Sequence, residues 1–430
     1  MLSKFNTSNI LSSIRSNLSI SVKDKPIYLD YMSTTRTDPR VVDKMLPYFT
    51  EDFGNAHSRS HIMGHIAETA TEHARAEVAS LIKADPMDII FTSGATESNN
   101  LAIKGAARYL KKTKGKNIIL VGATEHKCVL EAAKSLAEEG FEHHIIPVDK
   151  TGTIDTEWLE SFLQQNGDKV AIVSTMAVNN EIGTINPLTK IGSICHKHNV
   201  LFHTDAAQGY GKVDIDVKRD HIGLLSISAH KIYGPKGVGA LYVSRRPRVR
   251  LVPLMSGGGQ ERGIRSGTLP VPLVVGMGEA ASIMKKEGPS DIAKLTRQSK
   301  YFMDKVNSQL ENVRLNGNPD ARYPGCVNLS FDYVEGESLM LGMGDLCVSS
   351  GSACTSASLE PSYVLAACGV DPENAHTSIR FGIGRFTTDE ELDEAANRVV
   401  ENVKDLREMS CLYDMAKQGI DLNSIEWAEH

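Results

Sequence analysis

The stretch Leu224-Leu225-Ser226-Ile227-Ser228-Ala229-His230-Lys231 has the apolar character of a buried strand and ends at a lysine. A second strand-like run ends just after an aspartate, in His203-Thr204-Asp205-Ala206-Ala207-Gln208. Helical periods separate most of the strand candidates, which predicts an α/β fold with a mainly parallel sheet and helices on both faces. Such sheets bind ligands at the carboxyl ends of their strands, and Asp205 and Lys231 both fall there.

The remaining strand and helix candidates divide the chain into two folded parts. Further strands are expected at 89–92, 117–121, 142–148, 170–174 and 200–203, with helices at 65–83 and 97–111. Near Gly288-Pro289-Ser290 the rhythm changes to a long helix, strands at 326–331 and 378–381, and a final helix at 388–408. We therefore expect an N-terminal arm and a large domain over residues 25–288, and a smaller α+β domain over residues 289–430.

Bulk composition argues against several classes of function. The chain has 430 residues and a formal net charge of −6, which argues against a nucleic acid or an anionic membrane as its main partner. No apolar run approaches the roughly 18 residues of a membrane span. The cysteines number seven and are scattered, so no disulfide framework is expected and a reducing compartment is favoured.

The first 24 residues differ in composition from the rest. They are rich in serine, contain Lys4, Arg15 and Lys23, and hold no acidic residue before Asp24. Their apolar residues also fit one stripe of a helix. These properties are typical of an organelle-targeting segment, and a disordered tail is the alternative.

Lys231 and Asp205 together suit pyridoxal phosphate. This cofactor needs an amine for its aldehyde and a carboxylate for its ring nitrogen, and the protonated ring then accepts electrons from the substrate α-carbon. On base rates most lysines lie at the surface, and an aspartate at a strand end can simply cap a loop or form an ion pair. Ser228 and His230, both able to form hydrogen bonds, stand beside Lys231 and favour the functional interpretation.

Two further segments have the composition of anion-binding loops. In the run 91–100 a glycine and Thr96 come directly before a helix, whose free N–H groups and positive dipole end can bind a phosphate. The same residues can act as an ordinary helix cap. The stretch 257–268 carries two arginines and five glycines, which suits either an anion-facing loop or a flexible surface loop.

His126 and Arg380 are candidates for work on the substrate. His126 follows the strand 117–121, where its ring can stack on a cofactor and relay protons, or can be a structural histidine. Arg380 lies mid-strand between apolar neighbours, so its guanidinium is expected to pair with a carboxylate, either of the substrate or of the protein. Cys195, His196, His198 and His203 fit no standard zinc spacing, and no metal site is expected there.

Cys354 lies in a loop, 349–358, made almost entirely of small residues. Such a segment buries little apolar area and cannot fix itself to a core, so we expect it to be mobile. A cysteine on a mobile, polar loop is a candidate for a nucleophile that travels between sites.

These features together resemble the cysteine desulfurases, pyridoxal-phosphate enzymes of the class-V aminotransferase family, and in particular the housekeeping type that feeds iron–sulfur cluster assembly. The resemblance runs from about residue 26 to residue 427. Its most specific parts are the run 228–237, around Lys231, and the run 349–355, around Cys354. The resemblance implies a fold type I architecture, with a seven-stranded sheet in the large domain. Departures are mild: Arg36 stands where the family commonly has proline, and Ala56 varies the usual Asn-Pro-x-Ser.

The resemblance also implies the roles of individual residues. Lys231 would attach to the cofactor, His126 would stack on its ring, and Cys354 would receive the sulfur of L-cysteine as a persulfide. Arg380, with Asn180, would bind the substrate. The residues implied in cofactor binding are Ala95, Thr96, His126, Asn180, Asp205, Gln208, Ser228, His230, Lys231 and, from a second subunit, Thr268.

The resemblance further implies partners and a location. The enzyme would be a homodimer whose C-terminal tail meets an iron–sulfur scaffold protein, with frataxin-like and small accessory subunits, and Cys354 would approach the nascent cluster. Its sulfur would serve cluster assembly and tRNA thiolation. No direct contact with nucleic acid or membrane is expected. The location would be the mitochondrial matrix or a related organelle, or the cytoplasm of a bacterium.

Other functions remain compatible with parts of the pattern. A selenocysteine lyase or another class-V aminotransferase would share Lys231 and Asp205 without needing the cysteine loop. A nicotinamide-dependent dehydrogenase is disfavoured because no Gly-x-Gly-x-x-Gly opens a helix after the first strand. A binding or scaffold protein without activity would carry no coloured cofactor.

Overall fold

The computed structural model describes residues 26–350 and 361–418. Its strands, in chain order, are β1 Ile27–Tyr28, β2 Ile89–Thr92, β3 Ile118–Gly122, β4 Glu142–Ile146, β5 Val170–Ser174, β6 Leu201–Asp205, β7 Leu224–Ser228, β8 Gly239–Val243, β9 Val313–Leu315, β10 Cys326–Phe331, β11 Leu346–Cys347, β12 Ser349–Ser350 and β13 Ser378–Gly382. Its α-helices are α1 Pro39–Met45, α2 Pro47–Thr50, α3 Ile62–Ser80, α4 Ala95–Lys114, α5 Lys127–Lys134, α6 Thr156–Asn166, α7 Leu188–Lys197, α8 Val271–Asn307, α9 Gly336–Gly342, α10 Tyr363–Ala367, α11 Pro372–His376, α12 Asp389–Glu408 and α13 Cys411–Lys417.

Seven strands form the central sheet, in the order β2-β8-β7-β6-β5-β3-β4. All are parallel except β8, which runs antiparallel to both of its neighbours. Strands β3, β5, β7 and β8 are buried along their whole length, as expected for a sheet covered by helices on both faces. The predicted α/β fold with a mainly parallel seven-stranded sheet is confirmed.

Helix α4 shows how local sequence brings a helix to the site edge of the sheet. It begins directly after β2 at Ala95 and ends at Gly115, whose positive φ of 70° closes the last turn. Its buried face includes Asn99, Leu101 and Ala102, while lysines fill its exposed last turn, where they complement the helix dipole. The N-terminus of α4 therefore lies at the carboxyl edge of the sheet.

A second, four-stranded sheet has the order β12-β13-β10-β9 and is entirely antiparallel. Helix α8 packs against α3 and α1 in its first half, and α12 also packs against it. This helix runs without interruption from Val271 to Asn307, with Pro289 inside it. The predicted boundary at 288–289 thus falls within a helix. A glycine and a proline usually mark a turn, but one lost N–H does not end a helix that is packed on both sides.

The N-terminal arm joins the two sheets. Strand β1 pairs in parallel with β11, and Asp30 forms a bridge with Gly382 of β13. Further along, the backbone N–H of Thr35 donates to the carbonyl of His230 at 3.0 Å, next to Lys231. The arm therefore contacts both the smaller sheet and the end of β7.

Within the described part of the chain, no helix has the length and apolar composition needed to cross a bilayer. The predicted targeting segment 1–24, most of the cysteine loop and the tail from residue 419 lie outside the described residues.

Candidate active site

A cavity of about 720 Å³ lies at the carboxyl ends of β2, β3, β5, β6 and β7. Its size is within the range of small-molecule sites, roughly 300–1,000 Å³. The predicted site residues that line it are Ala95, Thr96, His126, Asn180, Asp205, Gln208, Ser228, His230, Lys231 and Arg380. Thr268 does not line it, and Cys354 lies outside the described residues.

Lys231 ends the short 3-10 turn that follows β7. Its Nζ donates to the backbone carbonyl of Met32 at 2.7 Å and also to the carbonyl of Ser33. Both acceptors belong to the N-terminal arm. The arm thus holds the amine at the cavity wall, and because the acceptors are main-chain atoms, no side chain in the sequence signals the contact.

Asp205 ends β6 and is 5% exposed. Its Oδ1 accepts the backbone N–H of Ala207 at 2.9 Å, and its Oδ2 accepts Nδ2 of Asn99 at 2.7 Å. These two donors fix the carboxylate in place. Asn99 was not predicted as a site residue, although it follows Ala95 by four positions and therefore lies on the same face of α4.

The start of α4 forms one wall of the cavity. Gly94, with φ 151°, precedes the helix, and no side chain caps the first turn, so the N–H groups there are not satisfied by a cap. Thr96, Ser228 and Lys236 also line the cavity. A helix N-terminus, two hydroxyls and a lysine form a donor set suited to a phosphate. Lys236 was not predicted, although it stands five residues after Lys231.

His230 lines the cavity and is expected to be neutral at physiological pH. Burial lowers its pKa to about 4, and the charges of Lys231 and Lys236 act in the same direction. Its Nδ1 lies 3.0 Å from Oγ1 of Thr34, another residue of the arm. A neutral imidazole can still donate one hydrogen bond, so His230 can contribute a donor but not a positive charge.

His126 is the N-cap of α5. Its Nδ1 accepts the backbone N–H of Cys128 at 3.1 Å, and an acceptor at Nδ1 places the proton of the neutral ring on Nε2. Burial lowers the pKa of His126, opposed by Asp205 and assisted by Lys231 and Lys127. The helix cap therefore fixes the tautomer, and the ring offers an N–H at Nε2.

Gln208 is held at both ends of its amide. Nε2 donates to the carbonyl of Met32 at 2.7 Å, and Oε1 accepts from Nζ of Lys212 at 2.9 Å. The carbonyl of Met32 is therefore shared by Gln208 and Lys231.

Arg380 on β13 is already paired within the protein. Its Nη2 lies 2.8 Å from Oδ1 of Asp30, and its Nη1 donates to the carbonyl of Asn180 at 2.9 Å. Its Nε is buried and has no hydrogen-bond partner in the described residues. The structural ion pair considered from the sequence is thus present, in a residue that also lines the cavity beside Asn180.

Two ion pairs connect the loop that carries Thr268 to helices α3 and α4. Glu261 is buried against Arg75 at 2.8 Å, and Arg265 lies 2.9 Å from Glu97 at the start of α4. Thr268 itself is exposed. Its predicted role requires a second subunit, and it is not among the residues that line the cavity of its own chain.

The described residues on either side of the cysteine loop lie near site residues. Ser349 lines the cavity and pairs with Arg380 across the smaller sheet. After the loop, the hydroxyl of Tyr363 donates to the carbonyl of Glu125 at 2.7 Å, one residue before His126. Both flanks of the loop therefore contact elements that carry site residues.

No group of three or more histidine, cysteine, aspartate and glutamate side chains in the described ranges is arranged to hold a metal ion. His203 is instead buried between Ser174, at 2.8 Å, and Ser226, at 3.0 Å. Burial lowers its pKa to about 3.

Known proteins resemble this chain over most of its length. The aminotransferase class-V family matches residues 27–394. A mitochondrial cysteine desulfurase of Saccharomyces cerevisiae is 59% identical over 406 residues, covering 94% of this chain and 80% of that protein. A cysteine desulfurase of Rickettsia bellii is 56% identical over 405 residues, covering 94% of this chain and 98% of that protein.

The fold has close counterparts among solved structures. A NifS-like protein superimposes with a TM-score of 0.81 at 34% sequence identity, and the match covers 89% of this chain and 100% of that one. The likeness therefore extends from the sequence to the overall fold.

Proposed function

The chain belongs to the cysteine desulfurases of the class-V aminotransferase family, and from that premise we propose how its own residues carry out the reaction. The enzyme removes sulfur from cysteine for iron–sulfur cluster assembly, and the family implies pyridoxal phosphate as its cofactor. One observation carries the proposal for the site: Lys231 and Asp205 line a single cavity that Ser349 also lines, five residues before Cys354.

We propose that this cavity holds pyridoxal phosphate, because its donor set fits each part of that molecule. Lys231 supplies an amine for the aldehyde, and Asp205 supplies a carboxylate that two N–H donors already orient. The uncapped start of α4, with Thr96, Ser228, His230 and Lys236 nearby, supplies donors for the phosphate.

The remaining cofactor contacts follow from the same arrangement. Ala95 offers the backbone of the first turn, and the ring of His126, which lines the cavity, would stack on the pyridine ring. Gln208 and Asn180 would bond the phenolic oxygen. Thr268 would reach the phosphate from a second subunit, since it does not line the cavity of its own chain.

When bound, pyridoxal phosphate supplies an electron sink next to the substrate α-carbon. The Asp205 carboxylate holds the proton on the ring nitrogen. Nζ of Lys231 accepts the α-proton, and the carbonyls of Met32 and Ser33 keep that nitrogen at the cavity wall. His126 donates the proton on Nε2, because its Nδ1 is engaged by the helix cap.

Sulfur transfer then depends on Cys354. Its thiolate attacks the sulfur of L-cysteine, so that a sulfur–sulfur bond forms and the carbon–sulfur bond of the substrate breaks. The substrate carbon is reduced and takes up a proton, and it leaves as L-alanine. Cys354 retains the transferred, oxidised sulfur as a persulfide.

Arg380 and Asn180 are the proposed substrate-binding residues. A guanidinium is the natural partner of an α-carboxylate, and Arg380 lines the cavity next to Ser349. Its existing ion pair with Asp30 holds the guanidinium plane before substrate arrives. The substrate carboxylate would then bind beside Asp30, on the edge that Asn180 also borders.

A persulfide assay tests the central step. The Cys354→Ser variant, given pyridoxal phosphate and L-cysteine, is expected to bind both without forming a protein persulfide or releasing alanine. Cys411, an exposed cysteine, provides the matched control, and Cys411→Ser should react like the unmodified protein. A persulfide at full yield on Cys354→Ser would overturn the assignment.

The homodimer is also a proposal, and exposed apolar residues support it. Leu46, Phe49, Phe53 and Ile62 are all more than half exposed, and Ile62 borders a groove of about 430 Å³ between α3 and α8. Large apolar side chains exposed in this way favour a contact surface in this part of the chain. Because Thr268 would serve the partner's cavity, chains carrying Lys231→Ala and Thr268→Ala should regain activity when they are mixed and allowed to exchange.

We further propose a mitochondrial or related organellar location, with the iron–sulfur scaffold protein, frataxin-like and small accessory subunits as partners. The mitochondrial relative supports the location, and the bacterial relative makes a bacterial cytoplasm the alternative. A reporter fused to residues 1–24 tests the location. Deletion of residues 419–430 tests the scaffold contact, because desulfurase activity without the scaffold should survive while scaffold binding is lost.

A further inference from the structure

Lys212 is a buried lysine that the proposed reaction does not use. It is 8% exposed and lies in the turn that follows β6, four residues after Gln208. Its Nζ lies 4.9 Å from the ring centroid of Tyr323, which is also buried. Burying an amine costs free energy unless its N–H groups are hydrogen-bonded, so the partners of Lys212 indicate what role it has.

Those contacts form a chain that ends at Lys231. Lys212 donates to Oε1 of Gln208 at 2.9 Å, Gln208 donates through Nε2 to the carbonyl of Met32 at 2.7 Å, and Lys231 donates to that same carbonyl at 2.7 Å. Three hydrogen bonds therefore connect the buried amine to the cofactor-binding lysine.

The hydrogen-bond partners of Gln208 determine which end of its amide is the nitrogen and which is the oxygen. A carbonyl can only accept, so the amide end beside Met32 must be Nε2. The other end is then Oε1. Because Gln208 is buried, this oxygen needs a hydrogen-bond donor from the protein. Lys212 is that donor. Without it, the oxygen of Gln208 would be buried without a partner, and the amide would gain by rotating toward another donor.

The environment of Lys212 does not weaken this bond. Burial lowers the pKa of Lys212 to about 7, Lys231 acts in the same direction, and the sulfur of Cys326 opposes them. An amine carries N–H groups in both protonation states. The hydrogen bond to Oε1 is therefore available whether or not Lys212 is charged.

We propose that Lys212 is a positioning residue that holds Oε1 of Gln208 away from the cavity, so that the amide presents its N–H end to the cofactor. The inference rests on the proposed cofactor site and adds to it a determinant of how the cofactor's phenolic oxygen is bonded. Lys212 does not line the cavity and acts only through Gln208.

The test is the pH dependence of the visible absorbance of the cofactor-loaded enzyme. In Lys212→Met the pH midpoint is expected to rise by about one unit, the size of one lost hydrogen bond to a charged oxygen, because the proton on Nζ of Lys231 is then held more tightly. Gln208→Met should raise it by a similar amount. The double variant Lys212→Met/Gln208→Met should show no further rise, because both changes remove the hydrogen bond from Gln208 to the phenolic oxygen of the cofactor.

Charge alone gives a different result. If Lys212 acts by repelling Lys231, its removal will shift the midpoint equally in the presence and absence of Gln208, and the positioning role is overturned. An unmoved midpoint in Lys212→Met overturns it as well. Lys294→Met, which removes an amine held by the carbonyls of Arg385 and Thr387, controls for general loss of stability and should not move the midpoint.

Two readouts keep the inference separate from the proposed function. Failure of the wild-type chain to acquire a visible cofactor band would refute the cofactor site itself. If Lys212→Met does not fold, neutron diffraction of the loaded wild-type enzyme gives the answer directly. Deuterium on the Gln208 atom that faces the cavity supports the inference, and an oxygen there overturns it.

Discussion

The side-chain amide of Asn99 donates a 2.7 Å hydrogen bond to Oδ2 of Asp205, and both residues are buried. The bond joins the first turns of α4 to the end of β6, which are the two elements proposed to hold the phosphate and the ring of the cofactor. Asn99 thereby sets the direction of the carboxylate before any ligand arrives.

Replacing Asn99 by alanine is expected to weaken cofactor binding about 10- to 100-fold, because a hydrogen bond to a charged group contributes roughly 1.5–3 kcal/mol. Absorbance titration of the cofactor-free protein with pyridoxal phosphate measures the dissociation constant. Asn100→Ala, on the same helix with its amide on the carbonyl of Thr96, is the control and should bind normally. Unchanged affinity in Asn99→Ala would mean that Asp205 needs no such support.

Lys231→Ala is expected to purify without covalently attached cofactor. Borohydride reduction followed by mass spectrometry of the intact chain should add no pyridoxyl mass to this variant. Lys236→Met, which changes the other lysine lining the cavity, should still accept the label but bind the cofactor less tightly. Stoichiometric labelling of Lys231→Ala would show that another lysine is used.

Substitutions of His126 separate helix capping from proton donation. His126→Asn keeps an acceptor for the Cys128 N–H but has no Nε2 proton, so its stability should be near that of the wild type while kcat falls about 10²- to 10⁴-fold. His126→Ala loses the cap too and should cost about 1 kcal/mol of unfolding free energy in addition. Urea denaturation and alanine release give the two numbers. A normal kcat for His126→Asn would exclude proton donation from Nε2.

Arg380→Met should impair L-cysteine binding more than binding of cysteamine, which has the same amine and thiol but no carboxylate. We expect a loss of about 10-fold or more for L-cysteine, because a charge-assisted pair is lost, and little change for cysteamine. Spectral titration of the loaded enzyme with each amine measures both affinities. Equal losses for the two compounds would assign Arg380 to the ion pair with Asp30 alone.

Acid should destabilise the protein through its buried histidines. Burial lowers the pKa of His203 to about 3 and that of His230 to about 4, whereas an unfolded histidine titrates near 6.5. Between these values the unfolded chain binds more protons, so stability is full above about pH 6.5 and falls as the pH is lowered, by at most ~1.4 kcal/mol per pH unit for each group. Unfolding midpoints at pH 7 and pH 5 measure this loss. His203→Gln should reduce the slope, and an unaltered slope would contradict a neutral, buried His203.

Both sheets were predictable where strands are buried along their whole length. The runs 170–174 and 224–228 of the central sheet and 326–331 of the smaller sheet form strands at the predicted bounds, since fully buried strands are mainly apolar. Strand β8 escaped prediction because it opens in the glycine-rich run after Lys231. Helix α8 was expected to begin near Ser290 but begins at Val271, because packing against α1 and α3 outweighs the usual breaking effect of Pro289.

The site was predictable only for residues with distinctive side chains at strand ends. Asp205 and Lys231 stand out because their types and positions match one cofactor, and the structure places both in one cavity, while their roles stay predictions. Asn99 and Lys212 are polar residues of common types, and only the structure shows that they bond Asp205 and Gln208. The carbonyls of Met32 and Ser33 are main-chain atoms nearly 200 residues from Lys231, and no sequence pattern indicates them.

The docking of the N-terminal arm limits how far any maturation protease can trim this protein. Strand β1 begins at Ile27, and the carbonyls that hold Lys231 follow at Met32 and Ser33. A cut after Tyr28 would remove β1 and its pairing with β11, and a cut after Ser33 would also remove the two carbonyls that accept from Lys231. Maturation that preserves the enzyme must therefore stop ahead of this point.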